Sequence, residues 1–308
     1  MSKLKLFALN SNEPLAEKIS QSVGVPLSSA SVKHFADGEI QIDLEESVRG
    51  ADVYVIQSVS DPVNENLMAL LIMIDALRRA SAHQINVVVP YYGYARADRK
   101  ARSREPITAK LVANMLELDG AARVIAVDLH ADQVQGFFDI PVDHLNALGL
   151  LANYFVESGV NQNVVAIAPD HSGTKLARKM AEHLDAPLAI VDSRPGDENV
   201  GVIGDVEGKT AIIVDDMIDT GSRIAESVEA LRANGVTDIY ACATHAVLSA
   251  GASERLAPLG LKKIVVTDTI DIPEEDHLDN MVVISVGDLI GRAITLISKN
   301  ESIHPLFD

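Results

Sequence analysis

Ten short runs rich in β-branched residues recur along the chain, and most are apolar without interruption: LKLFAL, VYVIQS, INVVVPYY, RVIAVDLH, VVAIAPD, LAIVDS, TAIIVDD, IYACATH, KIVVTDT and MVVIS. A strand with one wet face alternates apolar and polar residues, so continuous runs describe strands covered on both faces. Stretches of helical period separate them. Between VYVIQS and INVVVPYY, Leu67, Leu70, Leu71, Ile74 and Leu77 share one face of residues 64–80, and Asp61-Pro62 supplies start chemistry upstream. Such alternation predicts an α/β protein, a parallel sheet with helices on both sides.

The rhythm restarts after about residue 145, where VVAIAPD opens a second series. At roughly 100–200 residues per domain, 308 residues suit two domains. The expectation is two duplicated doubly wound parallel-sheet domains, 1–145 and 146–308, with the last turns near 280–298 packing back on the first. Lys+Arg 26 against Asp+Glu 44 gives a net charge of -18, which opposes a sequence-independent grip on nucleic acid or an anionic membrane. The single Cys242 excludes an internal disulfide framework and a thiolate zinc cluster; in IYACATH it reads as a small buried hydrophobe. No apolar run approaches the roughly 18–20 residues that span a bilayer, and MSKLKLFALN is too short in its apolar part for a signal peptide. A cytoplasmic protein with no nucleic-acid or membrane partner is expected.

Ligands of open parallel sheets bind beyond the carboxyl ends of the strands, and four segments fall there. In residues 212–223 an apolar strand runs into Asp215-Asp216, then Asp219-Thr220-Gly221-Ser222, then a helix over 223–233. Amides at that helix start, with the Thr220 and Ser222 hydroxyls, suit a phosphate monoester, and the acids suit sugar hydroxyls or hydrated magnesium. An acid pair alone reads equally well as N-capping; the third acid and the turn favour a site. Asp128 and His130 end another strand and, as alternate residues, point to one side, ahead of Gly136-Phe137-Phe138 and Pro141-Val142-Asp143. A lone strand-end histidine is usually structural, but the acids here favour a metal–nucleotide site. The run from Tyr91 to Arg104 concentrates Arg96, Arg99, Lys100, Arg102 and Arg104 in an acidic chain, which favours a triphosphate over a solvated loop. Phe35-Ala36-Asp37-Gly38-Glu39 reads as a turn between strands whose aromatic and acceptors could hold an adenine or its ribose.

Taken together, these segments resemble the ribose-phosphate pyrophosphokinases over nearly the full length. The carriers are Asp128-Leu129-His130 with its Gly-Phe-Phe and Pro-x-Asp continuation, the loop at 214–223, and Arg-Glu-Pro-Ile-Thr-Ala-Lys within 91–111. The resemblance implies domains of phosphoribosyltransferase type and transfer of the diphosphoryl group of Mg-ATP to the C1 hydroxyl of ribose 5-phosphate, releasing AMP. It implies an ATP site at Phe35, Asp37, Gly38, Glu39, Arg96, Ala97, Asp98 and Arg99, and magnesium contacts at His130, Asp170 and Asp128. Asp215, Asp216, Asp219, Thr220, Gly221, Ser222 and Arg223 would hold ribose 5-phosphate, with His130 and Arg194 as catalytic groups. It further implies dimers assembling to a hexamer, alone or mixed with a homologue, and activation by inorganic phosphate at a phosphate/ADP site of Ser47, Arg49, Ser81, Arg102, Arg104 and Ser302.

Departures from the family gather in the second half. Ser193 stands where the family has a loop lysine, leaving Arg194 the arginine role. Arg223 replaces a threonine, Ser172-Gly173 replaces Gly-Gly, Leu176 replaces an arginine, and His304 replaces a second serine. An active enzyme is the first expectation; a catalytically weak paralogue serving as a regulatory subunit is the alternative.

Overall fold

The computed structural model describes residues 3–192 and 201–307. Ser193 and Arg194 lie outside the described residues. The chain divides into two compact units, one of residues 1–146, 269–271 and 285–308, the other of residues 147–268 and 272–284.

The first unit runs β1 (Leu4–Ala8), α1 (Glu13–Val23), β2 (Ala30–His34), β3 (Ile40–Leu44), β4 (Asp52–Ile56), α2 (Val63–Arg79), β5 (Gln84–Val89), α3 (Thr108–Asp119), β6 (Arg123–Val127) and β7 (Val142–Leu145). The second runs α4 (Leu148–Glu157), β8 (Val164–Ala168), α5 (Thr174–Leu184), β9 (Leu188–Asp192), β10 (Gly201–Ile203), β11 (Thr210–Ile218), α6 (Ser222–Ala233), β12 (Asp238–Ala246), α7 (Ala252–Leu256), β13 (Ile264–Thr267) and β14 (Met281–Ile284). The last helix, α8 (Gly287–Ser298), belongs to the first unit. It lies along α1, where Ser22 Oγ donates to Asp288 Oδ1 at 2.8 Å.

The first unit's main sheet is parallel, in the order β1-β4-β5-β6-β7. On one face, Phe7, Val53, Val55, Val87 and Val89 pack with Leu70 and Met73 of α2 and Val112 and Leu116 of α3. The alternate residues Leu6, Tyr54, Ile56, Val88 and Ile125 are buried too. The second sheet has the order β10-β9-β8-β11-β12-β13-β14, antiparallel at β9–β10 and parallel elsewhere. Val165, Ile167, Ala211, Ile213 and Ala241 face Ile224, Val228 and Leu231 of α6. Their alternates Ala166, Ala168, Ile212, Val214 and Cys242 face Phe155 of α4 and Met180 of α5. Burial on both faces is what the unbroken apolar runs require. Cys242 is 1% exposed, and burial pushes its thiol pKa up.

All ten runs form strands. The structure adds β2, β3, β7 and β10. The first two pair as an antiparallel hairpin, Ala30 opposite Leu44 through His34 opposite Ile40, outside the main sheet. None of its residues is buried, so nothing demanded an apolar run there.

Candidate functional site

The turn at 35–39 is the tip of the β2–β3 hairpin. Phe35 N donates to Glu39 O at 2.9 Å, Gly38 N to Phe35 O at 2.9 Å, and Glu39 N to Asp37 Oδ1 at 3.1 Å. An Asp side chain bonding the backbone two residues on is an Asx turn. It holds Phe35 outward, 52% exposed. An aromatic ring that costs apolar contact with water, on a locked tip, is suited to a planar base.

Beyond β5 the chain turns through Tyr91–Ala97 against the core. Tyr92 is buried, donates its hydroxyl to Ala109 O at 3.1 Å and meets Phe138 edge-on at 5.9 Å. Ala97 N donates to Tyr94 O at 2.9 Å, and Ala109 N to Ala97 O at 3.2 Å. Buried tyrosines therefore anchor a segment whose Arg96 and Arg99 side chains are exposed. Asp98 Oδ2 accepts from Gln133 Nε2 at 2.8 Å, which ties this segment to the 3-10 turn Asp132–Phe137.

Asp128 and His130 are not alternate strand residues. β6 stops at Val127, and Asp128 takes a left-handed φ of 37°. Asp128 is buried with Oδ1 accepting from Asn146 Nδ2 at 2.8 Å, whereas His130 is exposed. The turn between them rests on His144, whose Nε2 accepts from Leu129 N at 2.8 Å and whose Nδ1 lies 3.0 Å from Gln135 Nε2. Sequence reading stopped at Asp143 and missed His144 and Asn146; their signal was polar residues on a short strand next to the acid-rich segment.

In the second unit the strand order reverses between β8 and β11, and such switch points open a crevice at the strands' carboxyl ends. Asp170 follows β8. Asp215 and Asp216 lie within β11, which continues to Ile218 rather than ending at the acids. Arg223 joins them: Nη1 lies 2.7 Å from Asp170 Oδ2, and Nη2 lies 3.0 Å from Asp215 Oδ2. Asp170 Oδ1 also accepts from Ser172 N at 2.7 Å, Gly173 N at 3.0 Å and Ser172 Oγ. Burial works against the Asp170 charge, but the Ser172 and Arg223 hydrogen bonds outweigh it and hold the carboxyl below its usual range. Burial pushes Asp215 up to about 8, against the pull of Arg223 and with the repulsion of Asp216. Water screens that pull, since the Arg223 side chain stays 42% exposed.

The loop ahead of α6 is braced from 249–256. Ser249 Oγ donates to Asp219 Oδ1, and Arg255 Nη1 donates to Thr220 O. Thr220 Oγ1 and Ser222 Oγ lie 3.0 Å apart. Gly221 caps α6 at φ 75°, and a Cβ there would stand 3.1 Å from Leu256 Cγ. Backbone amides at the start of a twelve-residue helix, flanked by two hydroxyls, form an anion cradle. Of the residues expected at a phosphate/ADP site, Arg49 Nη1 donates to Ser81 Oγ at 3.2 Å; Ser47, Arg102, Arg104 and Ser302 are exposed.

Among the described residues no three His, Cys, Asp or Glu side chains are grouped to hold a metal ion. Asp128 and His130 have donor chemistry that suits a cation carried mainly by nucleotide oxygens and water. Asp170 does not fit a metal in this arrangement, because its Oδ1 is taken by Ser172 and Gly173 and the Arg223 guanidinium stands 2.7 Å from its Oδ2. No described helix is long and apolar enough to cross a membrane.

Both units are α/β with largely parallel sheets, and the second carries an anion cradle at the start of α6 beside Asp215 and Asp216. Residues 4–120 match the N-terminal domain of ribose phosphate pyrophosphokinase, and 163–308 the phosphoribosyl synthetase-associated domain. The ribose-phosphate pyrophosphokinase of Listeria ivanovii is 56% identical, covering 99% of this chain and 98% of that protein. Ribose-phosphate pyrophosphokinase 2 of Enterococcus faecalis is 56% identical over 99% and 96%. The crystal structure of phosphoribosylpyrophosphate synthetase from Mycobacterium smegmatis superposes with a TM-score of 0.94 at 43% identity, covering 97% of this chain and 100% of that one. The chain belongs to the ribose-phosphate pyrophosphokinase family of transferases.

Proposed function

We propose that the chain transfers the diphosphoryl group of Mg-ATP to ribose 5-phosphate. The C1 oxygen attacks the β-phosphorus, the bond from that phosphorus to the oxygen bridging it to the α-phosphorus breaks, AMP leaves with that oxygen, and the C1 hydroxyl proton passes to solvent. The observation that carries this reading is the loop Asp219–Gly221 at the start of α6, beside Asp215 and Asp216. Helix amides and hydroxyls take the 5-phosphate, and the acids take the ribose hydroxyls. In the first unit, Phe35 and the locked tip Asp37-Gly38-Glu39 receive the base and ribose, and Arg96 and Arg99 the phosphates, with Ala97 and Asp98 shaping that segment. His130 and Asp128 face the cation that accompanies the nucleotide. Transfer between two anions depends on alignment and charge neutralisation. Arg194 is the cation assigned to the transferring group.

The test is AMP release from Mg-ATP by the purified protein, with and without ribose 5-phosphate, in phosphate buffer. Sugar-dependent AMP is expected, and it must vanish in an Asp215→Ala preparation to exclude a contaminating homologue. ATP binding without sugar-dependent AMP would overturn the enzyme reading. It would favour a regulatory subunit mixed with an active homologue, the role that a sugar-side Arg223 clamp and the absent loop lysine suit. The oligomer and its phosphate site, Ser47, Arg49, Ser81, Arg102, Arg104 and Ser302, are part of the same proposal.

Arg96→Ala is expected to weaken ATP binding about 10–100-fold, the worth of a charge-assisted hydrogen bond. Because Arg96 is exposed, the melting temperature should stay put. Calorimetric titration with Mg-ATP and a thermal melt decide it; unaltered affinity removes Arg96 from the ATP site.

A further inference from the structure

A cation in the first turn of a helix faces the positive end of the helix dipole, and Arg223 is the second residue of α6. What its fork reaches accounts for this placement. It spans Asp170 Oδ2, just after β8, and Asp215 Oδ2, on the neighbouring strand β11, at 2.7 and 3.0 Å, at the switch point of the sheet. A guanidinium across two carboxylates offsets their mutual repulsion with one positive charge and fixes their separation, part of the electrostatic work a divalent ion would do.

Asp170 already spends Oδ1 on its own loop and Oδ2 on Arg223. Ser172 N, Ser172 Oγ and Gly173 N crowd Oδ1 beyond the roughly two acceptor positions an oxygen offers, and Arg223 Nη1 takes Oδ2 from the crevice side. Magnesium needs a bare oxygen at about 2.0–2.1 Å in octahedral geometry, and here it would also stand against a guanidinium of like sign. Serine at 172 contributes through its hydroxyl as well as its amide, so two of the second-half residues that depart from the family, Ser172 and Arg223, act on one carboxylate.

We propose that Arg223 is a built-in counter-cation at the sugar-phosphate site, standing in place of a protein-bound divalent ion on Asp170 and Asp215. It is a positioning residue: it holds the Asp215 carboxylate beside the Asp219–Gly221 loop without metal. The proposal relies on the function above only for the ligand these carboxylates serve. Its test reads ion binding without turnover, so silence in the AMP assay and failure here are separate results.

The experiment titrates Mn2+ into the full-length protein without nucleotide, counting bound ion by loss of the free-ion paramagnetic signal. It compares the parent, Arg223→Thr and Arg223→Lys, each with and without Asp170→Asn. The parent and Arg223→Lys are expected to show no Mn2+ binding that Asp170→Asn removes. Arg223→Thr is expected to gain an Asp170-dependent site at least about tenfold tighter, as a repelling unit charge beside the ion is removed. Asp170-dependent binding in the parent would overturn the proposal, as would a cooperatively melting Arg223→Thr protein without such a site. If Arg223→Thr fails to melt cooperatively, parent against Asp170→Asn decides: unchanged Mn2+ binding supports the proposal and lost binding refutes it.

Discussion

Asp215→Ala is expected to cut ribose 5-phosphate-dependent AMP formation by about 10²–10³, the scale of removing one preorganised hydrogen-bonding group from a transfer site, while Mg-ATP binding stays within error. Asp215 is 6% exposed, so a sugar hydroxyl that bonds to it does so out of water, where a hydrogen bond is worth most. Its Oδ1 is fixed by Asp216 N at 3.0 Å and its Oδ2 by Arg223, so the acceptor is in place before the sugar arrives. The substitution also leaves Arg223 with Asp170 as its acidic partner, and a guanidinium freed on one side can swing toward the phosphate. Ribose 5-phosphate affinity should therefore fall less than turnover does. Separate calorimetric titrations with each substrate, beside the AMP assay, decide the matter. Equal loss of both substrates would show a general disturbance instead of a sugar contact.

What the sequence made legible follows from which forces are local. Burial on both faces of a strand is written into consecutive residues, so TAIIVDD and IYACATH announce a central parallel pair. Val214 and Cys242 then stand opposite each other in register. Amphipathic hairpins at the surface carry no such demand, and β2–β3 was visible only as the turn at its tip. The site was legible as segments. How those segments join was not, because pairing depends on strand order. Arg223 reaches Asp170, 53 residues away, only because β11 inserts beside β8. The alternation rule failed at Asp128 for a related reason: β6 ends at Val127, and His144 on the neighbouring strand β7 and Asn146 just after it brace the turn that follows.

Gly93→Ala is expected to destabilise the first unit by at least about 3 kcal/mol, the upper range for forced overpacking of a close-packed interior. At that chain size such a loss lowers the melting temperature by about 6–12 °C. A Cβ on Gly93 would stand 2.3 Å from Val59 O and 2.7 Å from Val59 Cγ1. A valine rotamer change relieves the second contact but not the first, because the carbonyl is backbone. Val59 cannot retreat cheaply: it is 2% exposed, and its N donates to Tyr91 O at 2.9 Å, two residues before the glycine. The strain must therefore move Tyr91–Tyr94, and with them the exposed Arg96. This separates the variant from Arg96→Ala, since Gly93→Ala should lose stability and ATP affinity together. In sequence, Gly93 is only one residue of the cation-rich run from Tyr91 to Arg104; the close backbone approach is a fact of the fold. A thermal melt with a Mg-ATP titration checks both losses. A Gly93→Ala protein with the parent's melting temperature would show that this turn yields, and that Tyr92 does not hold the arginine segment rigidly to the core.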